Sequence, residues 1–126
     1  MQNYILAKTT KSPKVIMDAE KGRIEFKGSS IMENSRAYYD PIFKWVAEYV
    51  KEPKDTQVHI DLDYFNSSSA KAFLTLFKTL IQVKESGCNL HIEWCYTKDD
   101  DDMIESGKNY ASVIEAEFDF IEKQAH

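Results

Sequence analysis

Between residues 57 and 96 the chain alternates, turns amphipathic and alternates again, and this succession limits the possible folds more than any other stretch. From Gln57 to Phe65, Val58, Ile60, Leu62 and Tyr64 fall on one side and His59, Asp61 and Asp63 on the other. That period of two marks a half-buried strand. From about Ser68 to Glu85 the apolar residues Ala70, Phe73, Leu76, Phe77, Leu80 and Ile81 recur at helical spacing, the stripe of an amphipathic helix. Ser86-Gly87 then supplies the glycine that commonly follows a helix end. From Asn89 to Tyr96, Leu90, Ile92, Trp94 and Tyr96 alternate with His91, Glu93 and Cys95.

A strand, a long crossover helix and a second strand imply a parallel pair with a right-handed connection. A parallel sheet covered on both faces would read as continuous apolar runs, whereas both strands here alternate. The expectation is a two-layer α/β domain: a mixed sheet with helices mainly on one face and a polar second face.

The flanking segments fit that plan. Val15–Asp18, a turn at Glu20-Lys21-Gly22 and the alternating Arg23–Gly28 read as an early hairpin. Residues 33–51 carry Tyr38, Ile42, Trp45, Val46, Tyr49 and Val50 at helical spacing. Asp40-Pro41 can kink or restart this helix, since Asp caps well and Pro suits a first turn. Asp99–Asp102 can open a third helix through about Ile114, with carboxylates placed favourably against its dipole. Phe118–Ile121 reads as a short last strand. No repeat or low-complexity linker divides the chain, and residues 1–126 form one domain.

Composition removes whole classes of function. The chain carries net charge −5 with 43% hydrophobic and 13% aromatic residues, so it can build a core. The acidic balance excludes a general nucleic-acid or anionic-membrane binder, whose contacts need a basic surface. No segment approaches the roughly 20 apolar residues of a membrane span, and the first residues do not resemble a signal peptide. Cys88 and Cys95 lack a paired-cysteine spacing. They suggest no disulfide framework and fit a reducing cytoplasm.

Motifs for catalysis and metal binding are absent from the sequence. There is no G-x-S-x-G elbow, no P-loop and no H-E-x-x-H pair. Of three histidines, His126 is terminal and His59 belongs to the polar strand face, so no base is evident for a nucleophilic serine. His59, Asp61 and Asp63 on one strand and His91, Glu93 and Cys95 on another can lie side by side. Their expected role is a solvated polar sheet face, with no metal. Asp99–Asp102 lacks the alternating ligands and central glycine of a calcium loop. No cofactor is expected, and the chain reads as a substrate of enzymes and not as one itself.

At Tyr64-Phe65-Asn66-Ser67-Ser68-Ser69-Ala70-Lys71 a strand hands over to a helix through four polar residues. Read on their own, these residues are ordinary N-caps, each worth about 1 kcal/mol. Together with Gly28–Ser35, the early Ser12-Pro13, and Trp94-Cys95-Tyr96 followed by Asp99–Asp102 and Glu105-Ser106-Gly107, they resemble the SiaC family of bacterial regulatory phosphoproteins. Met32 stands where that family commonly has proline, and serine stands where its modified residue is often threonine.

The resemblance implies a STAS-like fold, similar to anti-anti-sigma-factor domains, and a cytoplasmic partner-switching role. In such circuits a GHKL-type kinase phosphorylates the small protein and a PP2C-type phosphatase reverses the step. The unphosphorylated form binds a target, a diguanylate cyclase in the characterised branch. Ser67 follows the asparagine and is the expected phosphoacceptor, with Ser68 and Ser69 as alternates. A helix N-terminus favours the added anion, whereas a partner packed there would be expelled. Tyr64, Asn66, Ser68 and Lys71 are the expected partner contacts, joined by Tyr39 and Phe43 as an exposed aromatic patch off the main helix stripe. The rival expectation is a small-ligand or nucleotide-binding module that uses the same helix N-terminus as its anion site.

Overall fold

One six-stranded sheet takes up its strands in sequence order, with three helices in the crossovers. The computed structural model describes residues 1–124; His126 lies outside the described residues. The order is β1 (Tyr4–Leu6), β2 (Lys14–Asp18), β3 (Arg23–Ser30), α1 (Ser35–Tyr49), β4 (Thr56–Phe65), α2 (Ser67–Glu85), β5 (Leu90–Thr97), α3 (Asp101–Ile114) and β6 (Phe118–Lys123). The pairs β1–β2 and β2–β3 are antiparallel, and β3–β4, β4–β5 and β5–β6 are parallel. The sheet is therefore mixed, as the two alternating strands and the hairpin required. The edge strand β1 was not expected; three residues are too few to display a period.

Alternate strand residues supply the core: Val15 and Met17, Ile24 and Phe26, Val58, Ile60 and Leu62, Ile92 and Trp94, and Phe118. All three helices cover this face, with α2 packed between α1 and α3. A chain of aromatic rings runs through the layer, from Phe26 and Tyr39 over Phe73 to Phe77, Trp94 and Phe118. Burial of these rings is the main source of stability. The opposite sheet face carries Glu25, His59, Glu93 and Lys123, and no helix among the described residues covers it.

Three expectations shift by a residue. The first concerns α1, whose buried stripe is Ser35, Tyr39, Ile42, Val46 and Tyr49, while Tyr38 and Trp45 are only half-buried. Tyr39 is thus fully buried and not part of an exposed patch. It belongs to the stripe because the helix begins at Ser35, capped by Asn34, and runs through Pro41 without a restart. Pro41 and Ala37, whose carbonyl it leaves unbonded, are both exposed, so water can take the vacated bond.

The second shift is in α2. Its stripe adds Ser69, Ala72 and Val83, while Ala70 and Ile81 are half-buried.

The third is at the end of β4. Leu62 pairs with Gly28 but Tyr64 pairs with Ser29, so β4 has one extra residue against β3. That bulge reverses the alternation after Leu62. Tyr64 points outward at 62% exposure, and Phe65 turns inward onto Phe73 and Trp94. Gly28, at the kink, has φ +129°, a conformation open to glycine. Unable to see the bulge, the sequence pattern placed Tyr64 with the apolar face.

Candidate functional site

The bulge delivers Asn66 to the mouth of α2. Its backbone N–H donates to Ser30 O at 3.0 Å. Its side-chain amide donates to Met32 O at 3.1 Å, and its Oδ1 accepts from Ser69 N at 3.0 Å. One residue therefore caps α2 and ties the helix to the end of β3. The cap takes the third N–H of the helix, and those of Ser67 and Ser68 have no partner in the helical ladder.

The three serines of this turn have different surroundings. Ser69 is fully buried. Its hydroxyl donates to Ser30 O at 2.8 Å and lies 2.7 Å from Ser30 Oγ. Ser30 Oγ in turn meets Tyr39 Oη at 2.7 Å, and Ser35 Oγ lies 3.4 Å from Ser69 and 2.6 Å from Ser68. A chain of hydroxyls thus runs from Tyr39 in the core through Ser30, Ser69 and Ser35 to Ser68. Burial pushes the Tyr39 phenol well above its ordinary range, the Ser30 contact opposing in part, so it stays protonated and can donate. Ser68 also donates to Asn66 Oδ1 at 3.2 Å.

Ser67, first in α2, is exposed, and its hydroxyl makes no hydrogen bond among the described residues. Of the three it is the one that an incoming phosphoryl donor can reach without dismantling a contact. It lies at the positive end of the helix dipole, with Lys71 one turn on and exposed. Tyr64 and Ile31 are the exposed large apolar side chains at the adjoining ends of β4 and β3.

Of the expected partner contacts, Tyr64, Asn66, Ser68 and Lys71 cluster around Ser67. Phe43 is half-buried, stacked on Tyr39 at a ring separation of 6.0 Å. Ser30 and Ser35, which hold the serine turn, lie in the Gly28–Ser35 segment, and no sequence signal marks them for that role. Nothing in a hydrophobicity pattern distinguishes a buried hydroxyl network from a polar loop. His59, the one candidate base near this turn in sequence, faces Glu93 at 3.0 Å and Cys95 at 3.7 Å on the open sheet face.

Comparison with known proteins bears on the fold and the family. Residues 6–123 match the model of the SiaC family regulatory phosphoproteins. An uncharacterized protein of Pseudomonas aeruginosa strain UCBPP-PA14 is 22% identical over 87% of this chain and 88% of its own length. SiaC of Pseudomonas aeruginosa superposes with a TM-score of 0.84 at 21% identity, over 99% of this chain and 100% of that one. In the crystal structure of the diguanylate cyclase SiaD in complex with its activator SiaC, the match has a TM-score of 0.83 at 23% identity, over 98% and 99% of the two chains. Among the described residues no helix is long and apolar enough to cross a membrane. The chain belongs to the SiaC family of regulatory phosphoproteins.

Proposed function

We propose that this protein is a non-catalytic partner-switching regulator that binds a diguanylate cyclase when Ser67 is unmodified and releases it when Ser67 is phosphorylated. The observation that carries the reading is the inequality of the three serines: Ser69 is buried, Ser68 is held by Ser35 and Asn66, and Ser67 is exposed and unengaged. A phosphate there adds about −1.5 to −2 charges at neutral pH. The free N–H groups of the first turn and Lys71 can take it up, so the fold stays intact while the surface changes sign. Tyr64 and Ile31 supply the apolar anchor that a cyclase would cover.

The wider circuit belongs to the same proposal, supported by the family's description as regulatory phosphoproteins. A GHKL-type kinase adds the phosphate and a PP2C-type phosphatase removes it, in the cytoplasm. Support for the cyclase as target is the complex of SiaD with its activator SiaC, the relative that shares this fold. The chain serves as a substrate of those enzymes, consistent with the engagement of His59 away from Ser67.

The test is fragmentation mass spectrometry of the Asn66–Lys71 peptide from protein isolated from its own cells, paired with binding of Ser67→Ala and Ser67→Glu variants to a diguanylate cyclase of the same organism. Phosphate on Ser67, cyclase binding by Ser67→Ala and loss of binding in Ser67→Glu are the expected results. Phosphate on Ser68 would move the switch by one residue. Absence of phosphate under all growth conditions with the kinase expressed, or equal binding by the two variants, would overturn it.

A further inference from the structure

The open face of the sheet holds a second cluster, which the serine switch does not use. His59 and Asp61 stand two residues apart on β4, and Cys95 lies beside them on β5. One ligand atom from each, an imidazole nitrogen, a carboxylate oxygen and the thiol sulfur, lie within 4.8 Å of one another. Although no helix among the described residues covers this face, Asp61 and Cys95 are buried.

His59 is already oriented for coordination. Its Nδ1 sits 3.0 Å from Glu93 Oε1, which also accepts from Gln57 Nε2 at 3.2 Å. A carboxylate oxygen beside a ring nitrogen accepts, so Nδ1–H donates to Glu93. The lone pair that a metal would use is then on Nε2, which faces Cys95 Sγ at 3.7 Å. A carboxylate that fixes the tautomer of an imidazole is the usual outer partner of a metal-bound histidine. Asp61 meanwhile faces the ammonium of Lys123, which reaches it across β5 from β6.

We propose that His59 Nε2, Cys95 Sγ and an Asp61 carboxylate oxygen form a binding site for a single zinc-class divalent ion, with Lys123 occupying the cation position when no metal is bound. Zinc bonds of about 2.3 Å to sulfur and 2.0–2.2 Å to nitrogen or oxygen set ligand separations of roughly 3.3–3.8 Å in a tetrahedron. The Cys95–His59 pair already stands at that spacing, and a side-chain rotation brings Asp61 in. A thiolate beside an imidazole selects zinc or cobalt over magnesium and calcium, which want oxygen throughout. On binding, the thiol proton leaves to solvent, the Lys123 ammonium swings out to water and a water molecule completes the fourth position. Thiolate and carboxylate together cancel the ion's two charges.

Only part of the polar set read from the sequence takes part. His91 pairs with Asp119 of β6, and Asp63 is exposed beyond the cluster, at the bulge. The alternation of β4 and β5 fits a wholly polar face, because the reach of Lys123 and the burial of Cys95 belong to the folded sheet alone.

The experiment is a titration of the reduced, chelator-treated full chain with cobalt(II), followed by displacement with zinc. A near-ultraviolet sulfur-to-cobalt charge-transfer band with tetrahedral visible absorption is expected, lost on adding zinc. Cys95→Ser abolishes the band and Cys88→Ser keeps it. Glu93→Gln, which leaves all three ligands in place, weakens zinc binding about 10- to 100-fold. Lys123→Ala, which frees the carboxylate, tightens it. No sulfur-to-cobalt band in the wild-type chain, or a band that depends on Cys88, would refute the site. If Cys95→Ser does not fold by circular dichroism, Lys123→Ala decides: unchanged or weaker zinc binding rejects the proposal.

Discussion

The hydroxyls of Ser30 and Ser69, at the end of β3 and in the first turn of α2, meet at 2.7 Å in a seam closed to solvent. Ser69 also donates to Ser30 O, so this seam fixes the helix start against the sheet. Replacing Ser69 by Ala removes one hydrogen-bond partner each from Ser30 O, which keeps the Asn66 N–H, and from Ser30 Oγ, which keeps Tyr39 Oη, at a cost of about 1 kcal/mol, the net worth of a buried hydrogen bond. Ser67→Ala, on the exposed side of the same turn, stays within about 0.5 kcal/mol of wild type. Urea denaturation of the two variants measures the difference; equal stabilities would dissolve the distinction drawn between the serines.

Tyr39 and Tyr64 make a matched pair of opposites. Tyr39 is in the core, edge-on to Phe73 at a ring separation of 5.6 Å, and its truncation to Ala costs about 3–5 kcal/mol, as for other large aromatics. Tyr64→Ala changes stability by less than about 0.5 kcal/mol but weakens cyclase binding. Thermal melts together with a cyclase binding isotherm separate the two effects. A Tyr64→Ala protein that binds normally would remove Tyr64 from the interface.

This pair also shows what could be read in advance. The hairpin, the two long alternating strands, the three helices and the single-faced packing are periodic features, and periodicity survives in the sequence. The handover at Phe65-Asn66-Ser67 was legible as well, because a polar run between strand and helix has few other uses. Phase was not legible where a local irregularity resets it. Asp63 adds a residue to β4, and a helix start at Ser35 rotates the stripe of α1 toward Tyr39. The hydroxyl chain through Ser30 and Ser35 was hidden for a different reason, since its links to the serine turn join residues 33 to 39 positions apart.

Gly107 is where α3 rests on the sheet. A Cβ built there would stand 2.6 Å from Trp94 Cδ1 and 2.8 Å from Phe120 Cε1. Trp94 cannot easily move, because its indole N–H donates to Met103 O at 2.9 Å and its ring is fully buried. Gly107→Ala is expected to cost about 1–3 kcal/mol by overpacking, read as a lowered denaturation midpoint. A midpoint equal to wild type would mean that α3 shifts freely over β5.

The Glu93–His59 contact gives stability a pH dependence. The hydrogen bond from His59, then that from Gln57, hold the Glu93 carboxyl below its ordinary value of 4.5, against the opposing effect of burial. A carboxyl lowered by folding contributes stability that is complete above the unfolded-chain value and is lost as pH falls through the folded value. The stability gap between wild type and Glu93→Gln should be present at neutral pH and close in acid below the usual glutamate range. Denaturation curves across that window check the sign, and a gap that widens in acid would reverse it.

The strictly sequential strand order has a consequence for synthesis. Each strand pairs with the one made just before it, so the sheet can be laid down one strand at a time as the chain leaves the ribosome, with no gap held open for a later insertion. The hydroxyl contacts around Ser67 join β3, α1 and α2, and these can form while α3 and β6 are still inside the exit tunnel. Tyr110 of α3 then adds its hydrogen bond to Ala70 O. The contact of Lys123 with Asp61 is among the last to close, and it reports that the final strand has arrived.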